Sequence, residues 1–196
     1  MASLANLDKL IQDTISNFPG SRPLLCDGNP LECDILLVGI NPSTPSDFCK
    51  YWLQESGFNK TAWLEDYLAK HGKLKPTRSR IEIFEDAVKP LKVVETNVYS
   101  SPSSRESELH DLERNRDFFE KIIGMLSPKL VLCYGKTANL AVEELLGVPI
   151  VKGEFLSSSK LSFEIRYENH FSYQWSYDAV KQLGKEVVSR YAKISA

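Results

Sequence analysis

Long apolar runs are missing from this chain, and so are clustered cysteines and histidines. No stretch approaches the roughly 18–20 apolar residues needed to span a bilayer, so no membrane association is expected. The four cysteines, Cys26, Cys33, Cys49 and Cys133, form no close Cys-x-x-Cys pair, and the three histidines do not stand at zinc-ligand spacing beside them. No metal or other cofactor is expected. The first residues, MASLANLDKLIQD, lack a basic segment followed by an apolar one, which argues against a secretory leader. Free thiols suit a reducing compartment, so the expected location is the cytoplasm, or the nucleus in a eukaryote. Internal repeats and low-complexity tracts are absent.

Neither sign of charge dominates: 24 Lys and Arg face 26 Asp and Glu, a net charge of −2. That balance conceals one basic stretch. Between Tyr67 and Ile81 there are five basic residues and no acid: Lys70, Lys73, Lys75, Arg78 and Arg80. The segment could meet phosphates, or it could be a solvated loop between helices. The 196 residues are 42% apolar, enough for one domain, 1–196, to bury a core without staples. A monomer is the expectation.

Apolar periodicity predicts a helix over 4–17 through Leu4, Leu7, Leu10, Ile11 and Ile15. A Pro- and Gly-rich loop follows. The short continuous apolar run 34–39 reads as a strand buried on both faces, 93–98 as a second buried strand and 130–134 as a third strand. Phe48, Tyr51 and Trp52 at i, i+3 and i+4 suggest a helix, and Thr61 suggests the cap of another. Further helices are predicted over 79–89, 106–125, 136–146 and 175–192. The alternating run 161–167 suits an edge strand or hairpin. Strands alternating with helices point to an α/β fold, a three-layer αβα sandwich around a central, mainly parallel, roughly four-stranded sheet.

In such sheets ligands bind outside the carboxyl ends of the strands. Three segments put polar residues at such ends: Gly39-Ile40-Asn41-Pro42, Thr96-Asn97 and Asn169-His170. Each alone has an ordinary structural explanation as a turn or a satisfied polar residue. Their convergence on one edge is the informative signal.

These residues resemble a known family. The string from Asp34 to Pro42 (DILLVGINP) resembles the first motif of the uracil-DNA glycosylase superfamily, in the form carried by its mismatch-specific uracil and thymine branch. Val93 to Val98 with Pro102 and Arg105, then Leu126 to Leu132 and Tyr134-Gly135-Lys136-Thr137-Ala138, resemble successive segments of the iron–sulfur uracil glycosylases. Asn169-His170-Phe171-Ser172 falls where the family places its second catalytic motif. Three departures stand out. Ser43 replaces the glycine after Pro42, Phe171 replaces the proline after the histidine, and the cluster cysteines are absent, with Ser100 at one of their positions.

The resemblance implies base excision from DNA: a flipped nucleotide, a water attacking the sugar, and a base leaving as an anion. Asn41 would position the water and, being neutral, would be a weaker base than aspartate. His170 would donate a hydrogen bond to the departing base. Asn97 would read the base edge, with Gly39 and Ile40 lining the base site. Phe48 would stack on the base or simply pack in the core. Pro42, Ser43, Ser172, Arg105, Lys73, Lys75, Arg78 and Arg80 would meet the DNA. Two alternatives remain: a catalytically silent nucleic-acid- or nucleotide-binding protein on this fold, and a nucleoside- or nucleotide-processing hydrolase.

Overall fold

A computed structural model describes residues 2–191. It holds a mixed eight-stranded sheet and six α-helices. The helices are α1 (Leu4–Asn17), α2 (Lys60–His71), α3 (Pro76–Ala87), α4 (Asp117–Leu126), α5 (Lys136–Leu146) and α6 (Tyr177–Tyr191). The strands are β1 (Leu24–Gly28), β2 (Ile35–Gly39), β3 (Trp52–Leu53), β4 (Gly57–Asn59), β5 (Val93–Asn97), β6 (Leu130–Tyr134), β7 (Phe155–Leu156) and β8 (Glu164–Glu168). Their order across the sheet is β3-β4-β1-β5-β2-β6-β8-β7. The expected four-stranded sheet is therefore corrected to eight strands. The parallel set β5-β2-β6-β8 forms its middle, and β1, β3, β4 and β7 extend it with antiparallel pairings.

The apolar runs explain the middle of the sheet. Ile35 and Leu37 face α3 and α6, while Leu36 and Val38 face α1, α4 and α5, and all four are fully buried. A strand covered on both sides has no polar face to show, so it reads as an unbroken apolar run. β1 is hidden in the sequence for the opposite reason. Leu24-Leu25-Cys26 is short and lies between prolines and glycines, yet it pairs antiparallel with β5, Leu25 opposite Glu95.

Several local expectations are corrected. The segment 106–125 is not one helix. Two short 3₁₀ turns, Glu106–Glu108 and Asp111–Glu113, precede α4. The helix expected around Phe48 is a single 3₁₀ turn, Phe48–Lys50, leading into β3. Asn59, not Thr61, caps α2, its side-chain oxygen accepting from the Ala62 N–H at 3.0 Å. Of the two expectations for the alternating segment the hairpin holds: it becomes β8, paired antiparallel with the preceding β7, which takes the edge in its place. Residue 192, at the end of the predicted last helix, lies outside the described residues.

Gly184 sets the approach of α6 to α3. A Cβ on Gly184 would lie 2.5 Å from the Ala87 Cβ and 3.2 Å from its carbonyl carbon. In a free helix, Gly→Ala gains up to about 1 kcal/mol of propensity. Here overpacking at a rigid helix contact costs about 1–3 kcal/mol and outweighs it. Gly184→Ala is thus expected to lower the thermal midpoint, and Ala87→Gly in the same chain to restore part of the loss. A midpoint that rises in the single variant would mean the two helices part freely.

Candidate active site

β2, β5, β6 and β8 end together, and the sequence-predicted polar residues collect at that edge. Gly39 pairs with Asn97 across β2 and β5, and Tyr134 pairs with Glu168 across β6 and β8. The ladder between the first two continues beyond the strands. The Val98 N–H donates to the Gly39 carbonyl at 3.0 Å, and the Tyr99 N–H to the Ile40 carbonyl at 2.9 Å. The half-buried Ile40-Asn41 turn is thereby held against the chain leaving β5.

Asn41 is oriented by its own amide group. Its Nδ2 donates to the Pro42 carbonyl at 3.0 Å and to the Ser103 carbonyl at 2.8 Å. Both amide protons are used, and Oδ1 has no donor among the described residues. Two carbonyls against one end also fix which end is nitrogen. The Ser103 N–H returns a bond to the Pro42 carbonyl at 2.8 Å, closing the clasp.

Asn97 is 5% exposed, and its side-chain amide has no hydrogen-bond partner among the described residues. A Cβ on Gly39 would come within 2.8 Å of Asn97 Oδ1 and 2.6 Å of the Tyr134 hydroxyl oxygen. Only glycine leaves room for both side chains there. Tyr134, which no sequence signal singles out, stands at the centre of this edge. Its ring stacks on Phe171 at 5.2 Å and meets the His170 ring at 5.5 Å. Burial pushes its phenol up to about 12, so the hydroxyl keeps its proton and can donate.

His170 follows β8, its Cδ2 3.4 Å from where a Gly135 Cβ would be. Its side chain is exposed, yet the surrounding protein removes enough water to lower its pKa below the ordinary histidine value. Neutral imidazole therefore dominates at neutral pH, and one ring nitrogen carries a donor proton. Phe171 is fully buried against Tyr134, Phe84 and Trp175, so its ring serves packing. Tyr173, two residues on, is 85% exposed.

Three expected contacts are placed differently. Phe48 is 2% exposed and packs on Phe58 at 5.0 Å and Trp52 at 5.8 Å, so its ring belongs to the core. Arg78 is buried, with Nη1 2.5 Å and Nη2 2.7 Å from the two Glu95 oxygens. That fork uses the donors a phosphate would need. Arg80 donates to the Trp175 carbonyl at 2.6 Å and the Pro76 carbonyl at 3.0 Å. Lys73, Lys75, Arg105 and Ser43 are exposed, while Ser172 is half-buried and Pro42 buried.

Under the edge lies a buried ionic network. Lys60 pairs with Glu82 at 3.1 Å, with Glu95 at 3.2 Å and with Glu85, and Arg78 adds Glu82 at 3.0 Å. Glu82, Glu85 and Glu95 place carboxylate oxygens within 4.8 Å of one another, as a metal site would. Lys60 and Arg78 already supply the positive charge there, so the arrangement reads as an ion-pair network.

Asn41, Asn97 and His170 do not line the cavities formed around α1 and α4, around α2 and α3, beside α6 or beside the Thr44–Asp47 loop. One of them, about 190 Å³, lies beside the same loop, between Thr44–Asp47 and α2.

No family model and no curated protein matches the chain. Among solved structures it is similar to a Methanosarcina acetivorans protein, studied by solution NMR and named as a candidate uracil DNA glycosylase. The identity is 13% and the TM-score 0.43, over 85% of this chain and 96% of that one. No helix among the described residues is long and apolar enough to cross a membrane.

Proposed function

We propose that the chain is a DNA base-excision glycosylase, hydrolysing the N-glycosidic bond of uracil or a related damaged or mismatched base after flipping the nucleotide. The observation that carries this reading is the orientation of Asn41. Its two amide protons are tied to the Pro42 and Ser103 carbonyls, which leaves Oδ1 to accept from a water at the strand ends. Asn97 offers an unpaired amide, donor and acceptor together, to the imide edge of a pyrimidine. His170, neutral and protonated on one nitrogen, donates to the oxygen that gains charge as the base departs. Gly39 and Ile40 would line the base site, beneath the Tyr134 hydroxyl. Ser43, Ser172, Lys73, Lys75 and Arg105 supply donors and charge toward the strand. Tyr173 is the exposed aromatic available to fill the gap left by the flipped base.

The test is base release from single-stranded and duplex oligonucleotides carrying one deoxyuridine, scored as alkali-labile sites at enzyme excess. Wild type should release the base, and an Asn41→Ala, His170→Ala double variant should be slower by about 10² or more. Release that persists in the variant would remove both residues from the reaction. No release from deoxyuridine, thymine opposite guanine or hypoxanthine would overturn excision.

A second reading, binding without turnover, is favoured by one observation. The Tyr134 hydroxyl leans over Gly39 and Asn97 is nearly closed off, so a base enters only if that ring moves.

A further inference from the structure

Arg22 is the most unusual basic group in the molecule. It precedes β1, and its guanidinium has no acceptor among the described residues, neither a carboxylate nor a carbonyl. Surface arginines lack partners at little cost because water serves them. Arg22 instead sits over the Trp63 ring, 5.9 Å from its centroid, with the Arg78 guanidinium 4.9 Å from the same indole. Burial and the neighbouring Arg78 charge both lower its pKa from the ordinary arginine value. Arg22 is half-buried, so its five N–H donors lose part of their water without a hydrogen-bonded protein partner in return, while the Glu95 charge acts on it without forming an ion pair.

The guanidinium faces the cavity of about 190 Å³ between the Thr44–Asp47 loop and α2. Thr44 and Ser46 border it, and neither hydroxyl has a hydrogen-bond partner among the described residues. Lys70, exposed and free of any ion pair among the described residues, stands at the rim. Two carboxylates also line the space. Asp66 is engaged by Lys50 and by the Tyr51 hydroxyl at 2.7 Å, and Asp47 is exposed and unpaired. The uncompensated charge that remains is Arg22 and Lys70 against Asp47.

We propose that this cavity is a phosphoryl-binding site, with Arg22 as the forked donor and Thr44, Ser46 and Lys70 as its supporting donors. A tetrahedral oxyanion matches a guanidinium fork and nearby hydroxyls, and it supplies the charge that the cavity lacks. The site opens on the loop that begins at Asn41, three residues before Thr44. Its occupant is therefore a phosphate of the strand whose base enters at the strand ends, and that last step rests on the glycosylase reading. Binding of a phosphoryl group as such does not rest on it.

The test compares wild type with Arg22→Met and Arg22→Lys in two assays. The first is thermal stabilisation by inorganic phosphate and by deoxyuridine monophosphate, against sodium chloride at equal ionic strength. The second is affinity for a single-stranded oligonucleotide by fluorescence anisotropy. Both phosphates should raise the wild-type midpoint. Arg22→Met should abolish the rise and weaken the oligonucleotide at least about tenfold, with Arg22→Lys in between because it keeps charge and loses the fork. If Arg22→Met misfolds, a Thr44→Val, Lys70→Ala variant replaces it and should weaken all three ligands. Loss confined to the two small phosphates would support the site and name a free phosphate monoester as its occupant. No phosphate-specific stabilisation, or stabilisation that survives Arg22→Met, would overturn it. Phosphate binding that depends on Arg22 in a chain without base release would leave the site standing and remove the excision reading.

Discussion

Arg78→Ala is expected to cost about 3–5 kcal/mol of folding stability, the largest loss from any single truncation in α3. The reason lies in what stays behind. Glu95 sits in the centre of β5, 5% exposed, and both of its oxygens are held by the Arg78 fork. Removing the guanidinium strands a carboxylate in the sheet with Lys60 as its remaining partner at 3.2 Å. The measurement is urea unfolding, where the midpoint should fall by about 1–2 M. An Arg78→Met, Glu95→Met double variant should be more stable than Arg78→Ala, because it leaves no orphaned charge. A double variant that loses the sum of both single effects would show that the pair stabilises the fold outright.

The same network gives stability a pH dependence on both sides. Arg78 and Lys60 hold the Glu95 carboxyl well below the usual carboxylate range, against its burial. Its contribution is present above the unfolded value and is lost as pH falls through the folded one. Glu85 goes the other way. Burial and the adjacent Glu95 charge push it up to about 8. The fold favours its protonated form, so stability declines as pH rises from the ordinary value of 4.5 to about 8. Glu85→Gln should flatten that alkaline decline and leave the acid limb in place.

The second large effect concerns Asn41→Asp, and its direction is opposite to what the sequence suggests. A carboxylate is the stronger base, so the substitution reads as an improvement of a water-positioning group. In the structure the amide nitrogen faces two carbonyl oxygens at 3.0 and 2.8 Å. An aspartate would set a negative oxygen against both. It must either take up a proton, with one donor for two acceptors, or swing away from the Pro42–Ser103 clasp. Base release is expected to fall by about 10², near 2.7 kcal/mol of barrier, instead of rising. Amide hydrogen exchange at Ser103, whose N–H closes the clasp, should quicken in the same variant. A faster enzyme with unchanged exchange would show that the clasp does not hold the side chain.

How far the sequence reached depended on whether the deciding interactions were local. The runs of β2 and β6 were legible because strands covered on both faces can contain little but apolar residues. So was α1, whose spacing repeats over four turns. Leu109 and Leu112 fall at helical spacing, which predicts a helix through 106–116, but Leu112 is 84% exposed and gives that helix no apolar face to bury. Phe48 and Arg78 carried the right chemistry for a substrate contact. Their places were decided by Phe58 in one case and by Glu95 in the other, partners outside the local pattern.

The sequence by itself determined the α/β class, the parallel strands in the middle of the sheet, and the gathering of Asn41, Asn97 and His170 at one edge. Strand direction alone forces polar residues that follow parallel strands onto the same side. Only the tertiary structure decided that the sheet grows to eight strands, because its added strands are two to five residues long and take their pairing from neighbours. It alone decided which end of the Asn41 amide faces outward, that Tyr134 stands over Gly39, and that Arg22 is left without a partner while Arg78 has two. Hydrogen-bond partners and desolvation depend on which distant side chains arrive at a point, and no local pattern in the chain encodes that arrival.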